Sequence, residues 1–451
     1  MTMKKQNLRY MKWIGKMIVL LFIFNFQFSI FDCSAQRVSL DECLEKALES
    51  NFSIKIIRNE ARMDKNNLNY STFLPTLEGT AKQTQTRNDT KTENSAGEVN
   101  KMSDVKTDNY TAGVALNWRI FDGLEMFTTH EKQKELLAMG ELAVQPAVVN
   151  LILNVSAAYY NVLVQHHKLM AARHSLELSN ERYDEARVRY KIGNRSGLEA
   201  QQAKIDLNTD SSTYVRQKEA LKSAYITLNK LMNTDLQMVN YVQDTILLGP
   251  QLVLGTLEQK TLAGNTTLLI AKKDQKISAL DLKNARAVLF PTLDFNSGYN
   301  YNKTDTPSSS TTLNRSNGFY WGFSLNVPIF SRLQNRTKIK NAKLELENTE
   351  LSYQEAEKET LGDLALMYNS YENNLLMVNF EIESASVAEA NLDAALEKYK
   401  IGSLSGIEFR EFQRSYIDAV DRKLSAIYQA KVSELSLLLL SGDIRGSFVS
   451  E

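Results

Sequence analysis

Cysteine, proline and glycine are all scarce, at 2, 6 and 19 among 451 residues. Cys33 falls inside an N-terminal leader and Cys43 stands alone beyond it, so the exported chain is expected to have no intrachain disulfide. Few prolines and glycines leave room for long uninterrupted elements. A charge excess is missing as well, since 53 Lys and Arg balance 53 Asp and Glu. Lys4, Lys5, Arg9, Lys12 and Lys16 lie in the first 35 positions against Asp32, which leaves 48 basic and 52 acidic residues in the remainder. Nucleic acid binding needs clustered Lys and Arg to neutralise phosphate, and scattered charge on a mildly acidic chain excludes that class. No His-Glu-x-x-His, phosphate-cradling glycine loop or Gly-x-Ser-x-Gly is present, so no enzyme, cofactor or metal site is expected. Of the four histidines, His130, His166, His167 and His174, the last two share a helix face only at i, i+7, too far for a joint metal without help.

What the sequence does contain starts with the leader. Basic residues precede an uncharged run of 15 residues, Met17 to Phe31, and then Cys33-Ser34-Ala35 before Gln36. This is the layout of a secretory signal peptide over residues 1–35, with cleavage after Ala35. The run falls short of the ~20 residues of a membrane span. Phe31-Asp32 before Cys33 is bulky and charged where a lipidation motif needs small residues. Beyond the leader, 43% hydrophobic and 24% charged residues over the whole sequence are the proportions of a folded chain.

The folded part is a duplication. Tyr190-Lys191-Ile192-Gly193 and Tyr399-Lys400-Ile401-Gly402 lie 209 residues apart, and the same offset maps Ser196-Gly197-Leu198-Glu199 onto Ser405-Gly406-Ile407-Glu408. Phe73-Leu74-Pro75-Thr76-Leu77 recurs as Leu289-Phe290-Pro291-Thr292-Leu293. A repeat of this length is a duplicated domain. The expected plan is a first repeat over 36–233, a linker over 234–255, a second repeat over 256–442 and a short tail over 443–451.

Each repeat changes period twice. Ser39-Leu40-Asp41-Glu42 is a capping-box pattern that opens a helix to about Thr72, and Thr256 to Leu289 has matching character. Pro75 and Pro291 stop these helices. Alternation then follows over Tyr110–Ile120, Leu293–Asn302 and Phe319–Val327, with apolar residues on one side and mostly small or polar residues on the other, and less distinctly over Thr76–Thr86. That pattern suits a wall between lipid and water, or a sheet on a soluble core. The export signal and the strand length favour the membrane, and Val114, Leu116, Trp118, Phe319, Trp321 and Phe323 are the expected lipid-facing side chains. Asn88–Asn109 and Lys303–Asn317 read as outward loops. Four strands cannot close a membrane barrel, which needs at least eight, and an open edge in lipid strands backbone groups at several kcal/mol each. Subunits must therefore share one barrel.

The rest is helix. Val148, Val155, Val162, Leu169, Leu176, Tyr183 and Tyr190 recur every seven residues, as do Leu364, Tyr371, Val378, Ala385, Leu392 and Tyr399. A 3.5-residue period held this long argues supercoiled packing, with small Ala158, Ala172 and Ala186 allowing close approach. Leu124–Tyr190 and Leu333–Tyr399 are each 67 residues, ~100 Å if wholly helical. Each nearly equals the summed length of the two shorter helices of its repeat. Leu142–His167 carries no charge, yet Asn150, Asn154, Asn161 and Gln165 form one polar stripe. A row of that kind fits a water-filled lumen or a helix interface better than lipid.

Residues 151–163, Leu-Ile-Leu-Asn-Val-Ser-Ala-Ala-Tyr-Tyr-Asn-Val-Leu, resemble the signature helix of TolC-type outer-membrane efflux channels. The duplicated Tyr-Lys-Ile-Gly turns resemble that family's periplasmic tips, and Ile120-Phe121-Asp122-Gly123 and Val327-Pro328-Ile329-Phe330 its strand-to-helix junctions. The resemblance implies an α+β membrane protein: a homotrimer whose twelve-stranded β-barrel in outer-membrane lipid continues as a twelve-helix α-barrel through the periplasm. It implies an exit duct of a tripartite efflux or type I secretion system, opened by a periplasmic adaptor (membrane fusion) protein and an inner-membrane pump. Ile192, Gly193, Ile401 and Gly402 match adaptor-docking tips. Glu408 and Glu411 match an aperture ring of six carboxylates, some raised in pKa by like-charge repulsion. Tyr399 matches a gate tyrosine bonded to Glu199. The family's second-tip arginine is Leu404 in this chain, with Arg195 as a substitute. Read without the resemblance, the acids are helix N-terminal residues favoured by the dipole. The rival architectures are an exported adhesive coiled coil without a pore and a soluble periplasmic adaptor.

Overall fold

The computed structural model describes residues 37–93, 95–193, 196–239, 241–242, 245–307 and 312–442. The expected signal peptide, Arg195 and the tail over 443–451 lie outside the described residues. The elements in chain order are β1 (Arg37–Val38), α1 (Leu40–Ser50), α2 (Phe52–Asn67), β2 (Thr76–Glu93), β3 (Val99–Phe121), α3 (Glu125–Lys191) and α4 (Gly197–Met232). They continue with β4 (Tyr241–Val242), α5 (Leu254–Gly264), α6 (Thr266–Ala287), β5 (Thr292–Asp305), β6 (Leu313–Asn326), α7 (Gln334–Lys400) and α8 (Gly406–Leu440). The described residues form two compact units, one from those up to Ser50 with those within 154–248 and 375–431, the other from those within 51–153, 249–374 and 432–442.

The second unit holds a four-stranded antiparallel sheet in the order β2-β3-β5-β6. Its register sorts side chains by face, because directly opposed residues of antiparallel strands point the same way. Val114 opposes Tyr299, which opposes Phe319. Leu116, Ser297 and Trp321 form the next row, and Trp118, Phe295 and Phe323 the one after. The six expected side chains thus share one face, which is heavily exposed at Phe319, Trp321, Phe323 and Leu325, all above 60%. The opposite face carries Gly113, Asn300 and Gly318, then Asn117, Asn296 and Gly322, and an Arg119–Asp294 ion pair at 2.9 Å. Among the described residues β2 and β6 each pair on one side only.

The strands are longer than alternation predicts. β2 and β3 pair from Thr76↔Asn117 out to Glu93↔Val99, so most of the expected loop over 88–109 is hairpin. Likewise β5 and β6 pair out to Asp305↔Leu313. Beyond the apolar rows polar residues predominate on both faces, so regular alternation vanishes while backbone pairing continues. The Gln83 amide donates to the Tyr110 hydroxyl at 3.0 Å at this transition.

Each pre-strand helix is broken in two. Asn51 and Asn265 adopt extended backbone and cap the following helix, Asn51 accepting from Ser53 N and Asn265 from Thr267 N and Leu268 N. In the second unit α3 is tied to α6 by Lys132–Asp281 at 2.6 Å and by Glu135, which binds Lys273 at 2.8 Å and also Lys276. Those two ammonium groups hold the Glu135 carboxyl below its ordinary range. In the first unit, β1 pairs in parallel with β4 from the linker. Helix packing is tight where alanines meet, as at Ala385, Ala388 and Ala419.

Candidate functional site

The two helix reversals lie in the first unit and are built alike at the backbone. α3 ends at Lys191 and α7 at Lys400, and the chain turns through Gly193 (φ 74°) and Gly402 (φ 77°). Left-handed backbone is the standard helix stop, and Gly adopts it without a Cβ clash. Gly193 N donates to Tyr190 O and Gly402 N to Tyr399 O, both at 3.0 Å. Ile192 and Ile401 stand out at the turns, 69% and 78% exposed. The expected docking residues are therefore two protruding apolar knobs, each next to a glycine.

The restart of each helix differs between tips. Ser196 accepts from Leu198 N at 3.2 Å and caps α4. Ser405 and Glu408 form a full capping box on α8: Glu408 N donates to Ser405 Oγ at 3.2 Å, and Ser405 N and Oγ donate to Glu408 Oε2 at 2.9 and 2.7 Å. Those bonds hold the Glu408 carboxyl below its ordinary range, opposite to the shift that like-charge repulsion gives. Glu411, one turn on and exposed, makes no hydrogen bond or ion pair among the described residues. In the single chain the free carboxylate of the expected pair is Glu411.

Tyr399 is 2% exposed and stacks on Phe409 with ring centroids 5.3 Å apart. Its hydroxyl has no hydrogen-bond partner among the described residues, and the expected bond to Glu199 is not formed. The three groups still converge on Gly406: a Cβ there would lie 3.5 Å from Glu199 Oε1, 3.6 Å from Arg182 Nε and 3.7 Å from the Tyr399 ring. Burial, resisted by the Arg182 charge and helped by that of Glu199, raises the Tyr399 pKa and keeps the phenol protonated. Packing, and not a bond to Glu199, holds this ring.

An arginine that the tip motifs do not contain joins the two tips. Arg189, one turn before the first reversal, donates Nη2 to the carbonyls of Tyr399 and Lys400 at 3.2 Å each. Its guanidinium lies 5.2 Å from the Tyr399 ring centroid and is paired with Glu185 at 2.5 Å. A cation on the last carbonyls of α7 satisfies orphan acceptors and opposes the negative end of the helix dipole. The position 209 residues later is Lys398, so the clamp belongs to one tip only.

Further along, a buried polar network crosses three helices. Asp210 of α4 binds Arg410 of α8 in a fork at 2.6 and 2.8 Å and accepts from Ser179 of α3. Gln413, 1% exposed, donates to Ser175 O at 2.8 Å and Ser179 Oγ at 2.9 Å. Arg182 pairs with Asp206 at 2.5 Å one turn away. Of the polar stripe on α3, Gln165 bonds Asn161 at 3.1 Å and receives the Gln217 amide of α4 at 2.7 Å, which is the interhelical arrangement. Among the described residues no group of three His, Cys, Asp or Glu side chains is placed to share a metal ion.

Comparison with known proteins adds a lineage to this geometry. A family model described as "Outer membrane efflux protein" matches residues 43–234 and 257–443. The chain is 22% identical over 345 residues to the "Probable outer membrane lipoprotein SilC" of Salmonella typhimurium, covering 74% of this chain and 73% of that protein. It is 23% identical over 334 residues to the "Cation efflux system protein CusC" of Escherichia coli strain K12, covering 71% and 70%. The crystal structure of the Campylobacter jejuni CmeC outer membrane channel superposes with a TM-score of 0.74 at 18% identity, covering 90% of this chain and 85% of that one.

Proposed function

The chain belongs to the outer membrane efflux protein family, and from that premise we propose that three copies build one exit duct through the outer membrane. The observation that carries this reading is the sheet with one apolar and one polar face and with both edges unpaired. Sealing those edges in lipid requires further strands, and twelve strands from three chains close a barrel with the glycine and asparagine face inward. The trimer count follows the family resemblance. Four helical columns per chain then give twelve around a periplasmic tunnel.

Gating belongs to the tips in this reading. Ile192-Gly193 and Ile401-Gly402 dock the periplasmic adaptor, which couples the duct to an inner-membrane pump. Three Glu411 carboxylates face the aperture and favour cations, while Glu408 serves mainly as the cap of α8. Tyr399 and Glu199 flank Gly406, and the Arg189 clamp holds the second tip to the first. Purified protein in planar bilayers tests this: it gives a small cation-selective conductance, and Glu411→Gln lowers the cation preference more than Glu408→Gln does. Absence of any conductance, even from an Arg189→Ala variant with its clamp removed, contradicts the duct and favours the pore-free adhesive reading.

A further inference from the structure

Three of the four histidines of the chain fall within nine positions, 166–174, around Met170. On the unbroken helix α3, His166, Met170 and His174 stand at i, i+4 and i+8, which stacks them one turn apart on one face. Met170 is 50% exposed and His174 is exposed, while His166 is partly so. None of the three makes a hydrogen bond or ion pair among the described residues. Their ring contacts are edgewise: His166 lies 6.0 Å from His167, and His174 lies 6.1 Å from Tyr416 of α8. The cationic side chains on the same turns of α3 carry their own partners, Lys168 with Asp421 at 2.5 Å and Arg173 with Glu177 at 3.0 Å, while Lys423 of α8 acts on the adjacent His167.

The shared fold does not demand this arrangement. At the duplicated positions 209 residues on, the second repeat carries Leu375, Asn379 and Glu383. An exposed thioether between two imidazoles is also a poor choice for a solvated helix face, where Lys, Glu or Gln is cheaper to expose.

We propose that the face of α3 formed by His166, Met170 and His174 binds a soft monovalent metal cation of the Cu(I) and Ag(I) class. Donor chemistry and donor number select the ion. Thioether sulfur paired with imidazole nitrogen suits soft ions, whereas Zn(II) asks for three or four donors of the His, Cys, Asp and Glu type, which do not converge at this site. Side chains at i and i+4 can share one metal, and the flexible methionine reaches either neighbour. Met170 is therefore the constant ligand. His166 and His174, too far apart to bind together unaided, are alternative partners one turn to either side. The site stands apart from the tips and does not depend on the duct reading.

The test is a silver(I) titration of the purified full-length protein in detergent, followed by calorimetry. Wild type binds silver with an affinity that falls at least tenfold in Met170→Leu, a substitution of conserved volume. His166→Gln or His174→Gln alone weakens binding only a few-fold, and the two together match Met170→Leu. Zinc titrated in parallel shows no Met170-dependent site. Silver bound by the buried thiol of Cys43 is common to all variants and drops out of the comparison. Equal silver affinity and stoichiometry in wild type, Met170→Leu and the double histidine variant overturns the proposal, as does a wild type that binds no silver.

Discussion

Asp210 concentrates more of the tip-bearing unit's electrostatics than any glutamate at the tips. Its carboxylate, 7% exposed, holds Arg410 of α8 and a serine of α3 from a position on α4. Removing one partner of such a buried pair leaves the other charge uncompensated at about 3–5 kcal/mol, whereas replacing both with apolar residues is often neutral. Asp210→Ala is expected to lower the unfolding midpoint strongly, and Asp210→Leu with Arg410→Met to restore most of it in the same melt. Nothing in the sequence separates Asp210, Arg410 or Gln413 from solvated neighbours, because periodicity does not report a charge that faces another helix. Glu408 was more legible. Ser405-Gly406-Ile407-Glu408 repeats the Ser-x-x-Glu signature of Ser39–Glu42, where both reciprocal bonds form at 3.3 Å. Its folded-state pKa lies below the unfolded value, so the cap is complete above the ordinary glutamate range and is lost as pH falls through the lowered value. On the proposed gating, closure that depends on this cap is expected to be flat from about pH 6 to 8 and to fail only in acid, a profile that conductance against pH records.

Among the elements, the long helices are the best predicted, since α3 and α7 each run one residue later than their expected 67-residue spans. The heptad rows fare unequally. All six residues of the second, Leu364 to Tyr399, are buried, whereas in the first only Val155 and Val162 are, and Tyr190 is 54% exposed. The row that α3 buries runs instead through Ala158, Ala172, Ser179 and Ala186. Close helix approach selects small side chains, and the sequence already marks Ala158, Ala172 and Ala186 as such positions, while Ser179 goes unmarked. The breaks at Asn51 and Asn265 are likewise invisible to hydrophobic pattern and depend on the capping chemistry of asparagine. At the reversals, Gly193→Val and Gly402→Val force a β-branched residue into left-handed backbone at about 1–3 kcal/mol. Export is expected to fall while trimers persist in native gels. Loss of trimers would assign these turns to folding and not to docking.

At the scale of the whole molecule, the proposed assembly follows from the sheet. Its apolar rows were legible from alternation, and the register puts all six expected residues on one face. Its hairpin extensions were not legible, because polar residues paired in water carry no periodic signal. Two unpaired edges, β2 and β6, leave no stable place in lipid for one chain alone. The mass of the detergent-extracted protein measures this demand directly, by light scattering or native mass spectrometry. The account predicts three copies per particle, resistant to dissociation in mild detergent. A folded monomer extracted from the outer membrane, with its strands intact by circular dichroism, contradicts it.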